Sequence, residues 1–329
     1  MSAPTPTVAV LLDTPATELR SPVKELLTIA RSLGDVVAVA LADPSERVVS
    51  EAAAHGAQRL VVVDPGADPA LTPVAAEALA AVVREVDADV VLLNATFENK
   101  ETAALVALLV EAGLVVDARP DGLVEGRLRT SKRVFAGTWD VVSEVVTERA
   151  VVTVRANTVV AEPVADPRAL EVERLASTPS ARATAASLVS RTVHPVSTGS
   201  RPALAEAAVV VAGGRGTLGD FAAVEDLADA LGAAVGATRD AVDEGWVEHD
   251  TQIGQTGVTI APRVYIGAGI SGAPHHRGGM QASSTIITVN TDPEAPIIEI
   301  SDLAVVGDLA DVLPQAAAAV REHLAGRSR

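Results

Sequence analysis

A two-domain α/β protein is predicted, and three observations predict it. The chain has 329 residues, enough for two domains of ordinary size. Its residues are 48% hydrophobic but only 2% aromatic, so the apolar mass is aliphatic. Short Val- and Ile-rich runs alternate with Ala-rich stretches of helical period, as a parallel sheet buried on both faces requires.

Val8-Ala9-Val10-Leu11-Leu12 reads as the first buried strand, and Leu19, Val23, Leu26, Leu27, Ala30 and Leu33 then recur at helical spacing. Strands are expected at 36–40, 60–64 and 90–93, and helices at 71–86 and 102–114. This rhythm implies right-handed crossovers and a parallel sheet. From residue 127 polar and apolar residues alternate, so 127–135 and 151–155 read as an antiparallel β extension that closes the first domain. The Ser-, Thr-, Ala- and Pro-rich stretch 176–200 reads as a connection with one edge strand at 189–193. A second α/β series starts at Ala207, which puts the boundary near 197 and the domains at 1–196 and 197–329.

The formal net charge of −17 argues against nucleic acid and anionic membrane surfaces as partners. The absence of cysteine excludes disulfides, zinc–thiolate sites, iron–sulfur clusters and cysteine nucleophiles. The first residues carry no basic region followed by an apolar core, and no apolar run approaches 18 residues, so the cytoplasm is the expected location and no membrane insertion is expected.

The chemistry concentrates in the second half. A strand ending at Ala212 runs into Gly213-Gly214-Arg215-Gly216, and a helix with Phe221, Val224, Leu227, Ala228 and Leu231 on its apolar face follows. A strand, a glycine turn and a helix N-terminus make an anion-binding corner, to which Arg215 adds a bidentate donor. Glycines that serve backbone geometry alone give the same pattern. It is neither the dinucleotide fingerprint nor a Walker loop. Further glycines and polar residues fall after successive strands: Gly236-Ala237-Thr238-Arg239, Ile253-Gly254-Gln255-Thr256-Gly257, Gly269-Ile270-Ser271-Gly272-Ala273, Asn290 to Pro296, and Gly307-Asp308-Leu309. Open α/β sheets bind ligands at such strand ends.

In this order the segments resemble the FAD-binding domain of electron-transfer flavoprotein alpha subunits. The likeness rests on "GGRG", the stretch from Asp226 to Arg239, "GQTG", the "YI" and "GISGA" at 265–273, "DPEAPI" and "VGDL". The first half matches more loosely, through Arg133-Val134-Phe135-Ala136-Gly137 and Thr153-Val154-Arg155. The resemblance implies a Rossmann-like C-terminal domain that binds FAD, with Arg215 at its phosphates. Thr238 and Arg239 would stand for the family's Ser-Arg pair, with Arg239 near the isoalloxazine ring. Ile253, Gly254, Gln255 and Thr256 would form the flavin loop, with the Thr256 hydroxyl near N5. Ser271, Gly272, Ala273, Pro274, His275 and His276 would follow the family's "SGAIQH", with His276 beside the C2 carbonyl. Asn290, Asp308 and Leu309 would hold the adenosine end. Pro274 and His275 depart from the usual Ile-Gln, and Arg277 from the usual Leu, which implies added positive charge beside the cofactor and an altered potential.

The family further implies an electron carrier rather than a substrate-converting enzyme, passing through flavin semiquinone and hydroquinone states. It implies a heterodimer with a beta subunit that docks on the first domain and holds AMP or a second FAD. Flavin dehydrogenases such as acyl-CoA dehydrogenases would be donors, and a quinone oxidoreductase or another acceptor would take the electrons. The rival readings are a nicotinamide-binding dehydrogenase module and a non-catalytic AMP- or ATP-binding regulator. A serine-hydrolase elbow fails because position 273 is Ala where Gly is needed. Adjacent His275 and His276 do not suit one metal. Trp139 and Trp246 read as packing or interface residues, and the Ala-rich helix at 315–324 suits either core packing or partner contact.

Overall fold

The computed structural model describes residues 5–12, 18–135, 139–192 and 201–327. They form two compact units, Met1–Lys132 with Val141–Val193, and Arg133–Asp140 with His194–Arg329.

The first unit opens with β1 (Thr7–Leu11), α1 (Ser21–Leu33), β2 (Asp35–Ala40), α2 (Glu46–Ala54), β3 (Arg59–Asp64), α3 (Thr72–Glu85), β4 (Val90–Asn94), α4 (Phe97–Leu109) and β5 (Gly113–Val115). β6 (Arg119–Val124), β7 (Arg127–Val134) and β8 (Trp139–Glu144) form a three-stranded sheet in which β6 and β7 are antiparallel. β9 (Ala150–Val154) and β10 (Glu171–Ala176) return to a seven-stranded sheet of order β10-β3-β2-β1-β4-β9-β5, parallel throughout. Alternation along β1 serves two cores at once: Val8 and Val10 face α1 and α2, while Ala9 and Leu11 face α3 and α4. α3 is buried along Val74, Leu79, Val82 and Val83, where each such side chain contributes about 1.5–3 kcal/mol.

The structure corrects several expectations. The helix expected at 102–114 is α4, five residues earlier, because Thr96 Oγ1 caps it by accepting from Asn99 N–H at 3.1 Å. Its polar first turn hid its start, and Leu114 belongs to β5. Residues 151–155 are not antiparallel. Val151 to Val154 lie in β9, parallel between β4 and β5 and buried along its whole length. The alternation of Thr and Arg there was misleading, since a strand inside a parallel sheet is covered on both faces. Residues 189–192 form no strand, and Val193 lies outside the described residues. The edge strand is β10, whose Glu173 takes a two-pronged bond from Arg59 on β3 at 2.8 and 3.0 Å. Helix α2, capped by Ser45, was not anticipated.

The second unit runs β11 (Val209–Gly213), α5 (Ala222–Leu231), β12 (Ala234–Ala237), α6 (Arg239–Asp243), β13 (Val264–Ala268), α7 (Pro274–Met280), β14 (Thr285–Asn290), β15 (Leu303–Val306) and α8 (Leu309–Arg327). Its sheet is parallel with order β12-β11-β13-β14-β15. The chain steps from β11 outward to β12 and then back past β11 to β13, so the topological switch lies between β11 and β13. α5 and α8 cover one face, and Leu313 and Ala317 of α8 are buried in that core. The C-terminal helix therefore packs on its own domain. On the other face Tyr265, Ile270, Met280 and Ile297 form a second core. Among the described residues no helix is long and apolar enough to cross a membrane.

Candidate functional site

Two cavities of about 300 Å³ each open along the C-terminal ends of the second unit's strands. Arg215, Asn290, Asp308 and Leu309 line the first, above β11, β14 and β15. Arg239, the loop Ile253-Gly254-Gln255-Thr256, Gly272, Ala273, His275 and His276 line the second. Thr238, Asp240, Ile270 and Ser271 line both, beside the switch point. Pro274 and Arg277 line neither. Pro274 occupies the start of α7, where its fixed φ suits the first turn. The Arg277 guanidinium stands 4.0 Å from Glu299. Of the two residues expected to add charge beside the cofactor, only His275 lines a cavity, the second.

Part of the floor of the first cavity is backbone, from Gly216 and Gly269. Gly214 N–H donates to Ala268 O at 3.1 Å and Gly216 N–H to Gly269 O at 2.9 Å, which ties the loops after β11 and β13 together. A Cβ on Gly216 would stand 2.6 Å from Gly269 Cα, so no side chain fits between them. The anion corner differs from expectation. The glycine turn leads into a 3-10 turn, Arg215–Thr217, and α5 begins only at Ala222, whose N–H is taken by Asp220 Oδ1 at 2.9 Å. Leu218 is left-handed, and Gly219 packs on the Trp246 indole, so the chain folds back before the helix can start. The groups facing the first cavity are thus Arg215 and Gly216, not the helix end.

Thr238 is 9% exposed, and its Oγ1 has no hydrogen-bond partner. A buried hydroxyl left unpaired costs about 1–3 kcal/mol, and Thr238 lines both cavities. Asn290 is spent on bracing: its Nδ2 donates to Ile270 O at 2.8 Å and its Oδ1 accepts from Asp292 N–H at 3.0 Å. Gln255 N–H donates to His275 O at 3.1 Å, which holds the 253–256 loop against α7. Arg215 Nε lies 3.1 Å from Asp240 Oδ2, and Arg239 Nε lies 3.1 Å from Asp243 Oδ2.

His276 is the buried ionisable group of the second cavity. Its Nδ1 lies 3.2 Å from Ile253 O, and its Nε2 lies 2.7 Å from the Tyr265 hydroxyl. A carbonyl only accepts, so in the neutral ring Nδ1 carries the hydrogen and Nε2 accepts from Tyr265. Burial pushes the His276 pKa down to about 4, partly offset by the Ile253 carbonyl and Asp240, so the ring is neutral at pH 7. Burial pushes the Tyr265 phenol far up. Sequence reasoning gave no role to Tyr265, the sole tyrosine, or to Asp240. A tyrosine inside an apolar strand was the available signal, because a buried phenol needs a polar partner.

Residues 7–180 match the electron transfer flavoprotein domain, and residues 203–281 match the electron transfer flavoprotein FAD-binding domain. The chain is 42% identical to the electron transfer flavoprotein subunit alpha of Mycobacterium leprae, over 88% of this chain and 91% of that one. It is 41% identical to the protein of the same description from Mycobacterium tuberculosis, over 95% and 98%. With that from Bacillus subtilis it shares 31% identity, over 90% and 92%. With both domains matched in order and this identity sustained along most of its length, the chain belongs to the electron transfer flavoprotein alpha-subunit family.

Proposed function

We propose that the chain holds FAD along the two cavities and works as the alpha subunit of a heterodimeric electron carrier. The observation that carries this reading is that every residue singled out for the cofactor except Pro274 lines one of two cavities sharing a wall. The site also fits the group on its own chemistry. A buried Thr238 hydroxyl lacks a partner at the shared wall, and Gly216 and Gly269, which line the first cavity, approach so closely that no Cβ fits between them.

FAD supplies reversible uptake of one or two electrons; the chain supplies binding and electrostatics. Arg215, with Asn290, Asp308 and Leu309 beside it, takes the ADP end. Arg239 and the 253–256 and 271–276 segments take the ring end. Arg239 brings a fixed positive charge that favours negative charge arriving in the second cavity. His276 keeps its Nδ1 proton on Ile253 O and its Nε2 on the Tyr265 hydroxyl, and so serves as a neutral wall. No group in this arrangement has to act as a nucleophile, in keeping with a carrier. Relatives described as alpha subunits support a beta subunit as partner; in this reading that subunit carries AMP or a second FAD and docks on the first domain. Donors would be flavin dehydrogenases such as acyl-CoA dehydrogenases, and a quinone oxidoreductase or similar protein would accept, in the cytoplasm. In this reading the boundary between the domains falls near residue 197.

The test is an absorbance spectrum of the chain co-purified with its beta subunit. Two visible flavin bands, with FAD released on denaturation, are expected; a preparation that stays colourless after FAD is added would overturn the reading. Thr238→Val probes the orphan hydroxyl. It is expected to weaken FAD binding by about threefold to tenfold in a fluorescence titration. Without FAD, the urea midpoint should stay level or rise, since no bond is lost. An unchanged FAD affinity would remove Thr238 from the site.

A further inference from the structure

We infer, resting on that FAD reading, that Asp240 sets how tightly the site takes its cofactor, by competing with the cofactor's diphosphate for Arg215. Asp240 lies in the first turn of α6, and its side chain lines both cavities. Its Oδ2 stands 3.1 Å from Arg215 Nε, so the cation expected at the phosphates already has an internal anion. The neighbouring carboxylates are committed elsewhere. Asp292 Oδ1 accepts from Glu294 N–H and Asp308 Oδ1 from Ala310 N–H, each at 2.9 Å. Asp243 pairs with Arg239 one turn along the same helix. Along the trough, two arginines face Asp240, Asp243, Asp292 and Asp308. An arriving dianion therefore meets surplus negative charge and has to take Arg215 from Asp240.

The exchange is feasible because the Arg215–Asp240 pair is weak. Both side chains are more than half exposed, at 69% and 58%, where an ion pair is screened by water and salt. A diphosphate offers the same guanidinium two oxygens and a larger charge, so it wins. Asp240 remains beside the cofactor after losing its partner, and its repulsion lowers the affinity. A flavin without phosphates does not enter this contest, so Asp240 acts on the charged end of the ligand alone.

The experiment titrates FAD and riboflavin separately into the flavin-free complex of the full chain with its beta subunit, following flavin fluorescence. Asp240→Asn is expected to tighten FAD by about threefold to tenfold at low salt and to leave riboflavin within about twofold. The gain should shrink at about 1 M salt, where the screening length is about 3 Å. Asp240→Glu should bind FAD as the wild type does. Glu244→Gln makes the same charge change at the exposed end of α6, lines neither cavity, and should alter nothing. Unchanged or weaker FAD binding by Asp240→Asn, or an equal gain for riboflavin, would overturn the role of Asp240. A wild-type complex that takes no FAD would instead sink the FAD reading, and this role with it.

Discussion

Gly269→Ala is expected to lower the unfolding free energy by about 2–5 kcal/mol and to abolish FAD retention. Two costs add at this position. Gly269 has φ of 63°, and an L side chain in that left-handed region costs about 1–2 kcal/mol. Its Cβ would also stand 2.7 Å from Gly216 Cα and 2.9 Å from Leu309 Cδ2. The first contact is backbone and cannot rotate away, so the loops after β11 and β13 have to part, at about 1–3 kcal/mol. Gly232→Ala separates the two costs. Gly232 has nearly the same φ, 62°, but a Cβ there meets nothing within 4 Å. It should lose only the conformational part, about 1–2 kcal/mol, and keep FAD. Urea unfolding and flavin retention on gel filtration measure both variants. Equal losses for the two would mean that the approach of Gly216 to Gly269 does not shape the cavity floor.

That floor also shows what the sequence could and could not disclose. Gly213 to Gly216 and Gly269 to Ala273 stood out because glycines clustered where strands end, and Arg215, Gly216 and the whole of 269–273 do line the cavities. Their mutual contact was not legible, since it joins residues some fifty positions apart through the crossover of a parallel sheet. The same limit hid the Tyr265–His276 bond and the Arg215–Asp240 pair, which depend on which loops the sheet order brings together. In the first unit the apolar runs at β1 to β4 were plain because both faces of those strands are buried. β10 was hidden for the opposite reason: at the sheet edge its Glu171, Glu173 and Arg174 give it the polarity of a loop. The start of α4 was obscured because its first turn, Phe97 to Lys100, is mostly polar and its cap lies in a single threonine.

His276 makes stability depend on pH in a window that few other groups share. In the unfolded chain a histidine takes up its proton near pH 6.5, whereas His276 in the fold does so only near pH 4. Between those values the unfolded state binds more protons, so acidification favours it. The contribution of His276 is complete above pH 6.5, falls as the pH drops towards 4, and is level below that. Its size is about 3 kcal/mol, from roughly 1.4 kcal/mol for each unit of displacement. Carboxylates also titrate as pH falls, so the wild type alone does not isolate the effect. His276→Gln does, because the carboxylates remain and only the imidazole is removed. At pH 7 this variant should be less stable by about 1–3 kcal/mol, having lost the bonds to Tyr265 and Ile253. Near pH 4.5 the gap should close or reverse, since the variant has no buried ring to protonate. Urea unfolding of both proteins at the two pH values measures it. A gap that stays constant would mean that the His276 ring reaches water in the folded protein and titrates there as it does in the unfolded chain.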